Sequence, residues 1–146
     1  MYIVNLCKFK EMTSKIVYEG NLRTIAQHLA SGNRLETDAP LDNMGKGERF
    51  SPTDLVATAL GSCMMTIMGI AAKEKNISLD GTEINIQKEM AINPRRIIGI
   101  MVEINFPRGL NIIKEDKIYL EKVAKACPVA KSIHPDIAQN IQFNWS

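Results

Sequence analysis

The amino-acid sequence predicts an α+β domain in which antiparallel strands surround one long, buried apolar helix. Two observations support this fold class. Apolar and polar residues alternate before and after the middle of the chain, as they do in strands with one buried face. Between these segments, residues 55–72 are apolar or small almost without a break, as in a helix buried on every side. The alternating segments are 14–38, 83–106 and 141–145.

The first strands, two or three in number, are predicted within residues 14–38. Gly20-Asn21 and Ser31-Gly32-Asn33 are typical turn sequences and divide this segment. A loop is predicted over residues 39–49, which contain a proline, an asparagine and two glycines.

Residues typical of a helix N-terminus mark the start of the long helix. Ser51 is the predicted N-cap, Pro52 suits the first helical position, and Asp54 is placed to complete a capping box. The apolar run approaches the length of a membrane span, so a transmembrane helix is an alternative. Several small or polar residues lower its hydropathy, and the strands on both sides need a core to cover, so a core helix is favoured. These residues are Thr58, Gly61, Ser62, Thr66 and Gly69.

The second half of the chain alternates strands and helices. Residues 83–106 predict two half-buried antiparallel strands with a turn at Pro94-Arg95-Arg96. Residues 114–126 have helical spacing, Cys127-Pro128 opens a second short helix, and the last strand covers 141–145. The predicted buried positions of the first of these helices are Ile118, Val123 and Ala126.

The composition is that of a globular protein. Hydrophobic residues make up 45% of the chain and charged residues 23%, which is too apolar for disorder. A net charge of +2 without a long basic run indicates neither nucleic acid nor a membrane as a partner. A chain of 146 residues can bury its own core, so 1–146 is predicted to be one domain, with 1–12 as a candidate extra N-terminal segment.

The cysteine count indicates a reducing compartment. Three cysteines, an odd number, argue against the disulfide framework of a small secreted protein. The first twelve residues, MYIVNLCKFKEM, contain no sustained apolar stretch and no small-residue cleavage site, so no secretory signal is expected. We therefore predict a cytoplasmic protein.

Two cysteines have surroundings that suit chemistry. Cys127 precedes a proline, so its sulfur is predicted at a helix N-terminus, where unpaired amides and the helix dipole favour the thiolate and lower its pKa. Cys63 lies in the apolar helix beside Gly61 and Ser62, which leave room for another segment or a ligand. Simple packing is the alternative for both, because free cysteine is among the most buried residue types. Cys7 lacks such a context and is expected to be a bystander.

Neither a metal nor a cofactor is predicted. The chain has no Cys-x-x-Cys pair, and His28 and His134 are isolated in the sequence. A cysteine hydrolase or acyl-transfer enzyme remains an alternative, because its cysteine and histidine must be neighbours in space but not in sequence. No local motif supports that alternative.

The stretch from Phe50 to Met64, FSPTDLVATALGSCM, resembles a motif of the OsmC-like family, which includes osmotically inducible protein C and the organic hydroperoxide resistance proteins. Ala126-Cys127-Pro128-Val129 is similar to the setting of the family's second cysteine, and the order of elements matches from about Ser14 to Trp145. The resemblance implies an OsmC-like fold in an intertwined homodimer with two active sites at the subunit interface. It also implies thiol-dependent peroxidase chemistry that prefers organic hydroperoxides.

The resemblance assigns roles to three residues. Cys63 matches the peroxidatic cysteine, whose thiolate attacks the hydroperoxide and becomes a sulfenic acid. Cys127 matches the resolving cysteine, which forms a disulfide with it. Arg23, in a turn similar to one that carries the family's catalytic arginine, is the candidate activating cation, donated across the dimer. A dithiol or lipoyl-type reductant is implied as the partner that resets the pair.

One position departs from the hydroperoxide-resistance branch of the family. There, a glutamate directly follows the helix-opening proline and orients the arginine, whereas this chain has Thr53, followed by Asp54. Adjacent helical residues point about 100° apart, so Asp54 does not simply replace that glutamate, and capping is its favoured role. Glu48, in the preceding loop, is the other candidate partner of the arginine. The sequence therefore resembles a different branch.

Phe50, Met64 and Met68 are candidate substrate-binding residues, forming an apolar wall for the alkyl part of the peroxide. Core packing is the alternative for all three. The predicted function is reduction of organic hydroperoxides in oxidative or osmotic stress defence. The alternative is an OsmC-fold protein with weak or no peroxidase activity that binds a small apolar ligand at the dimer interface.

Overall fold

The elements follow the predicted order: strands, a long helix, strands, short helices and a last strand. The structure is a computed structural model that describes residues 12–146. Its contacts divide the chain into two units, Met1–Pro52 and Thr53–Ser146. The α+β fold class is confirmed, whereas a single domain over 1–146 stays a prediction. Cys7, with nearly all of the candidate N-terminal segment, lies outside the described residues.

The first unit contains a three-stranded antiparallel sheet in the order β1–β2–β3. These strands are β1 at Ser14–Gly20, β2 at Arg23–His28 and β3 at Arg34–Asp38. Gly20 and Asn21 have φ angles of 85° and 51°, in the left-handed region that these two residue types enter most easily. The predicted turn therefore closes the first hairpin.

β1 is an edge strand with little cover. Its side chains are exposed on both faces, including the large apolar residues Ile16, Val17 and Tyr18. Exposed apolar groups along a strand edge are typical of a surface that another polypeptide covers.

The loop after β3 folds back on itself around two glycines. It contains a short 3-10 helix at Leu41–Asn43. A Cβ atom on Gly45 would lie 1.7 Å from the carbonyl oxygen of Ala39, so no residue other than glycine fits at position 45. The amide of Gly47 also donates to Ala39, at 3.2 Å. This loop carries Glu48 to the end of β3.

The second unit packs a mixed three-stranded sheet with the long helix. β4 and β5 are antiparallel, as predicted, but β6 runs parallel to β5. The expectation of purely antiparallel sheets is therefore wrong for this pair, which is joined by the helical crossover that parallel neighbours require. The elements are α1 at Pro52–Glu74, β4 at Glu83–Ile92, β5 at Arg95–Asn105, α2 at Lys114–Lys125, α3 at Pro128–Ser132 and β6 at Ala138–Asn144.

The core of the second unit lies between α1, β5 and α2. Gly61 allows α1 to approach β4, because a Cβ atom there would lie 2.5 Å from Cδ1 of Ile86. The largest side chains that are fully shielded from solvent there are Leu60, Met64, Met68, Ile100, Val102, Ile104, Leu120 and Cys127.

α2 buries a different face from the predicted one. Ile118 is 56% exposed and Ala126 is also exposed, whereas Val123 packs partly against the core. The buried positions of α2 are Leu120 and Ala124. The predicted helix is confirmed, but two of its three predicted core residues are wrong.

By length and composition alone, α1 could cross a membrane, and core helices of soluble proteins pass the same test. Seven of its residues are buried within the unit, and its start at Pro52 is as predicted. α1 is therefore the core helix of this fold. Those buried residues are Ala57, Leu60, Gly61, Met64, Met68, Ala71 and Ala72.

Candidate active site

Two thiols meet in the second unit. Cys63, three turns into α1, is partly buried, and Cys127, immediately before α3, is fully buried. The two cysteines are free thiols, and they lie close enough for Cys63 to shift the pKa of Cys127. The fold thus brings together the two cysteines that the sequence singles out.

Cys127 caps the N-terminus of α3. Its sulfur accepts a hydrogen bond from the amide of Ala130 at 3.4 Å, and the amide of Val129 also favours its thiolate. Pro128 occupies the first helical position, where its missing N–H costs no hydrogen bond. The local geometry is therefore the one predicted from the Cys-Pro pair.

The pKa of the Cys127 thiol nevertheless moves upward. Burial raises this pKa most, and the neighbouring thiol of Cys63 raises it further. The amides of Ala130 and Val129 act in the opposite direction and do not overcome burial. The expectation of a lowered pKa at this helix N-terminus is therefore wrong in its net direction, because that expectation omitted desolvation.

In the first unit, Arg23 is held by two carboxylates. Its Nε and Nη2 atoms donate to the two oxygens of Asp38 at 2.7 and 2.8 Å, and Nη2 also donates to Glu48 at 2.9 Å. The amide of Glu48 donates to Asp38 at 3.2 Å, so the three residues form one network. Glu48 is therefore in contact with the candidate arginine.

Asp38 is a residue of this network that no sequence motif indicates. This residue is 2% exposed, and the guanidinium of Arg23 lowers the pKa of its carboxyl group. Both carboxylates in turn raise the pKa of Arg23, Asp38 most, so its charge is permanent. A signal was available, because β2 and β3 pair Arg23 directly with Asp38.

A cavity of about 320 Å³ opens beside Arg23 in the first unit. Its lining mixes both signs of charge with one branched apolar side chain, that of Ile25. The remaining lining residues are Glu19, Gly20, Asn21, Glu36 and Lys46.

Asp54, the other candidate partner of the arginine, forms an ion pair within the second unit. Lys88 of β4 donates to the carboxylate of Asp54 at 2.5 Å and to the hydroxyl of Thr53 at 2.9 Å. Lys88 lies on the inward face of the strand between Ile86 and Met90, and its side chain is 18% exposed. The first turn of α1 is thus tied to the sheet by a lysine that no sequence motif indicates.

The candidate substrate-binding residues lie in different surroundings. Phe50, in the first unit, is 49% exposed, whereas Met64 and Met68 are fully buried in the core of the second. Core packing accounts for the burial of the two methionines. A role of the three residues in substrate binding stays a prediction.

The histidines make local contacts. Nδ1 of His28 lies 2.7 Å from the hydroxyl oxygen of Ser31, and Nδ1 of His134 accepts from the amide of Asp136 at 3.2 Å. Over residues 12–146, no group of three or more histidine, cysteine or acidic side chains could hold a metal ion.

An α+β fold with a thiol pair beside a long core helix defines a class of small thiol proteins. A family model described as OsmC-like protein matches residues 45–142, which is more than half of the chain. The chain belongs to the OsmC-like family, as the sequence motifs predict. A comparison with curated proteins finds no match.

Solved structures agree with this assignment. A protein of Psychrobacter arcticus 273-4, provisionally described as an osmotic stress induced and detoxification response protein, is 48% identical, with a TM-score of 0.87 over 94% of this chain and 99% of that one. An organic hydroperoxide resistance protein of Legionella pneumophila is 17% identical, with a TM-score of 0.70 over 92% and 98% of the two chains.

A provisionally named organic hydroperoxide resistance protein of Vibrio cholerae is 14% identical to this chain. The TM-score is 0.70 over 97% of this chain and 96% of that one, and captopril occupies one of that protein's active sites. At identities this low, the likeness to the Legionella and Vibrio proteins shows a common fold alone.

Proposed function

We propose that this protein is a thiol-dependent peroxidase that reduces organic hydroperoxides in oxidative or osmotic stress defence. The contact between the thiols of Cys63 and Cys127 is the observation that supports this function most directly. Packing alone accounts for one buried cysteine, but it does not require that a second, partly exposed thiol lie beside it. Membership of the OsmC-like family supports the same chemistry.

The reaction begins at Cys63, which is the more accessible of the two thiols. Its thiolate attacks one oxygen of the hydroperoxide; an S–O bond forms, the O–O bond breaks, and the alkoxide takes a proton and leaves as alcohol. The thiolate of Cys127 then attacks the sulfenic sulfur; an S–S bond forms and the S–O bond breaks, releasing hydroxide that is protonated to water. An external dithiol, of the lipoyl type, reduces the disulfide and returns both thiols.

Arg23 is assigned the role of the cation that stabilises the Cys63 thiolate and the charge on the leaving oxygen. Asp38 and Glu48 support this role, since together they fix the guanidinium and keep it charged. In this assignment Glu48, which belongs to the loop before α1, takes the part of the glutamate that is absent at Thr53.

A cytoplasmic homodimer is part of the proposal. The exposed apolar side chains of β1, including Ile16 and Tyr18, suit cover by a second copy of the chain. The free thiols of Cys63 and Cys127 suit a reducing compartment.

The test is turnover of cumene hydroperoxide with dihydrolipoamide as reductant. We expect Cys63→Ser to abolish turnover, and Cys127→Ser to complete one turnover and stop at a sulfenic acid that dimedone traps. The matched control is Cys7→Ser, for which full activity is expected.

Full dithiol-dependent turnover by the Cys63→Ser protein would refute the assignment. If hydroperoxide instead left both thiols unoxidised, the result would favour the alternative, an OsmC-fold protein that binds a small apolar ligand. The presence of Thr53 where the hydroperoxide-resistance branch has glutamate is the feature that motivates this comparison.

A further inference from the structure

A side-chain amide on β6 supports the short helix that begins at Cys127. Nε2 of Gln139 donates to the carbonyl oxygen of Ala130 at 3.0 Å. The amide N–H of the same alanine donates to the sulfur of Cys127 at 3.4 Å. One residue therefore joins the sulfur of Cys127 to the side chain of Gln139.

This hydrogen bond gives a partner to the carbonyl oxygen of Ala130, near the end of α3. The helix ends at Ser132, so the carbonyl of Ala130 has no helical residue four positions later to pair with, and it needs a partner from elsewhere. Gln139 supplies that partner from the edge strand of the sheet. The preceding carbonyls pair within the helix and its cap: Cys127 with the amide of Lys131, Pro128 with the hydroxyl of Ser132, and Val129 with the amide of Ile133.

Gln139 occupies an unusual place for a polar residue. It lies on the inward face of β6, which it shares with Ile141 and Phe143. A glutamine on this face loses hydration unless its amide is paired, and its bond to Ala130 provides the pairing. Gln142, on the outward face of the same strand, is exposed and has no such constraint.

We propose that Gln139 is a positioning residue for Cys127, acting through Ala130. It holds α3 against the sheet, so that the amides of Val129 and Ala130 stay directed at the sulfur and the sulfur stays directed at Cys63. The proposal rests on the proposed function in one respect, namely that Cys127 is the resolving thiol. Loss of the glutamine should slow formation of the disulfide and leave the reactivity of Cys63 unchanged.

The first experiment measures disulfide formation without peroxide, in a Cys7→Ser background. Diamide takes two electrons and two protons from the two thiols, giving the disulfide and a hydrazine. We expect Gln139→Leu to slow formation of the Cys63–Cys127 disulfide about threefold to tenfold, as expected for one neutral hydrogen bond. If the leucine variant folds poorly, Gln139→Met takes its place and should give the same slowing, because methionine is unbranched and has no hydrogen-bond donor. Gln142→Leu is the matched control and should react like the parent.

The second experiment follows the Cys127 thiolate by its ultraviolet absorbance during a pH titration, in a background without Cys7 and Cys63. With the amide donors of α3 loosened, the pKa of Cys127 should rise in Gln139→Leu and stay unchanged in Gln142→Leu. A purely structural role of Gln139 would lower the unfolding midpoint without moving this pKa.

Two results would overturn the proposal. One is disulfide formation by folded Gln139 variants within about twofold of the parent. The other is an equal slowing of iodoacetamide alkylation at Cys63, since Gln139 would then act on the whole core. Diamide replaces the hydroperoxide in this experiment. Both results can therefore be measured even if the protein shows no peroxidase activity.

Discussion

The close approach of α1 to β4 at Gly61 makes a quantitative prediction. A methyl group added there would lie 2.5 Å from Cδ1 and 3.4 Å from Cγ1 of Ile86, and 3.3 Å from Cγ2 of Ile84. Gly69, in the same helix, has no such neighbour within 4 Å. The substitution of glycine by alanine should therefore have opposite effects at two positions of one helix.

The magnitudes follow from two opposing contributions. Alanine is favoured over glycine in a helix interior by about 0.5–1 kcal/mol, and Gly69→Ala should gain this amount. At Gly61 the added methyl overfills the contact with Ile86, which costs about 1–3 kcal/mol. The net effect of Gly61→Ala is a loss of about 1 kcal/mol, from the difference of these contributions.

The assay is urea unfolding followed by circular dichroism, at one fixed protein concentration so that subunit association does not shift the midpoint. The double variant Gly61→Ala/Ile86→Val removes the Cδ1 atom that the new methyl meets. Ile86→Val alone should cost about 0.5–1.5 kcal/mol, but in the Gly61→Ala background it should cost less than half as much.

Equal stabilisation by Gly61→Ala and Gly69→Ala would refute this reasoning, since it would mean that α1 and β4 have room for the methyl group. Additive effects of Gly61→Ala and Ile86→Val would locate the cost elsewhere than at Cδ1.

Two further predictions concern charge and the C-terminus. Because Arg23 lowers the pKa of Asp38, this carboxylate stabilises the fold fully above its ordinary pKa of about 4, and the contribution is lost as the pH falls through the lower folded-state pKa. Asp38→Asn should therefore flatten the acid decline of the urea midpoint, and an unchanged decline would contradict the assignment. Trp145→Phe keeps one aromatic ring but removes the indole N–H and its bond to the Glu121 carboxylate at 2.8 Å, so it should lower the unfolding free energy by about 1.5–3 kcal/mol. Glu121→Gln, which keeps an acceptor, should cost less in the same measurement.

Much of the fold could be predicted because the ends of its helices and strands depend on residues that are close together in the sequence. Pro52 and the polar residues beside it mark the start of α1, and Gly20-Asn21 marks the first turn. The direction of β6 could not be read in this way. Alternation shows that a strand has a buried face, but it is the same for parallel and antiparallel neighbours.

In the candidate site, too, local motifs could be predicted from the sequence and contacts between distant segments could not. Cys63 and Cys127 could be selected from motifs, but their contact depends on the crossover between β5 and β6. Asp38 was missed because its importance arises from pairing across a hairpin rather than from its neighbours in sequence. Once the turn near residue 32 is placed, the register of the hairpin sets Arg23 opposite Asp38, so the pair was within reach of the sequence.

Polar residues on the inward faces of β4 and β6 make contacts that no sequence motif indicated. Lys88 and Gln139 both interrupt the inward-facing rows of their strands, and both make hydrogen bonds across the second unit. The prediction of the buried face of α2 was wrong for a different reason. Its apolar residues are few, so spacing alone did not decide between Ile118 and Leu120 as the buried position.

Trp145 gives the protein a built-in optical reporter. The chain contains one tryptophan, and its ring stacks on Phe106 with centroids 3.6 Å apart and planes inclined by 2°. The ammonium of Lys117 lies 5.4 Å from the ring centroid, and the carboxylate of Glu121 binds the indole nitrogen. All indole fluorescence therefore originates from one charged, stacked environment in the second unit. Its emission reports the state of that unit separately from the β1–β3 sheet, whose chromophore is Tyr18.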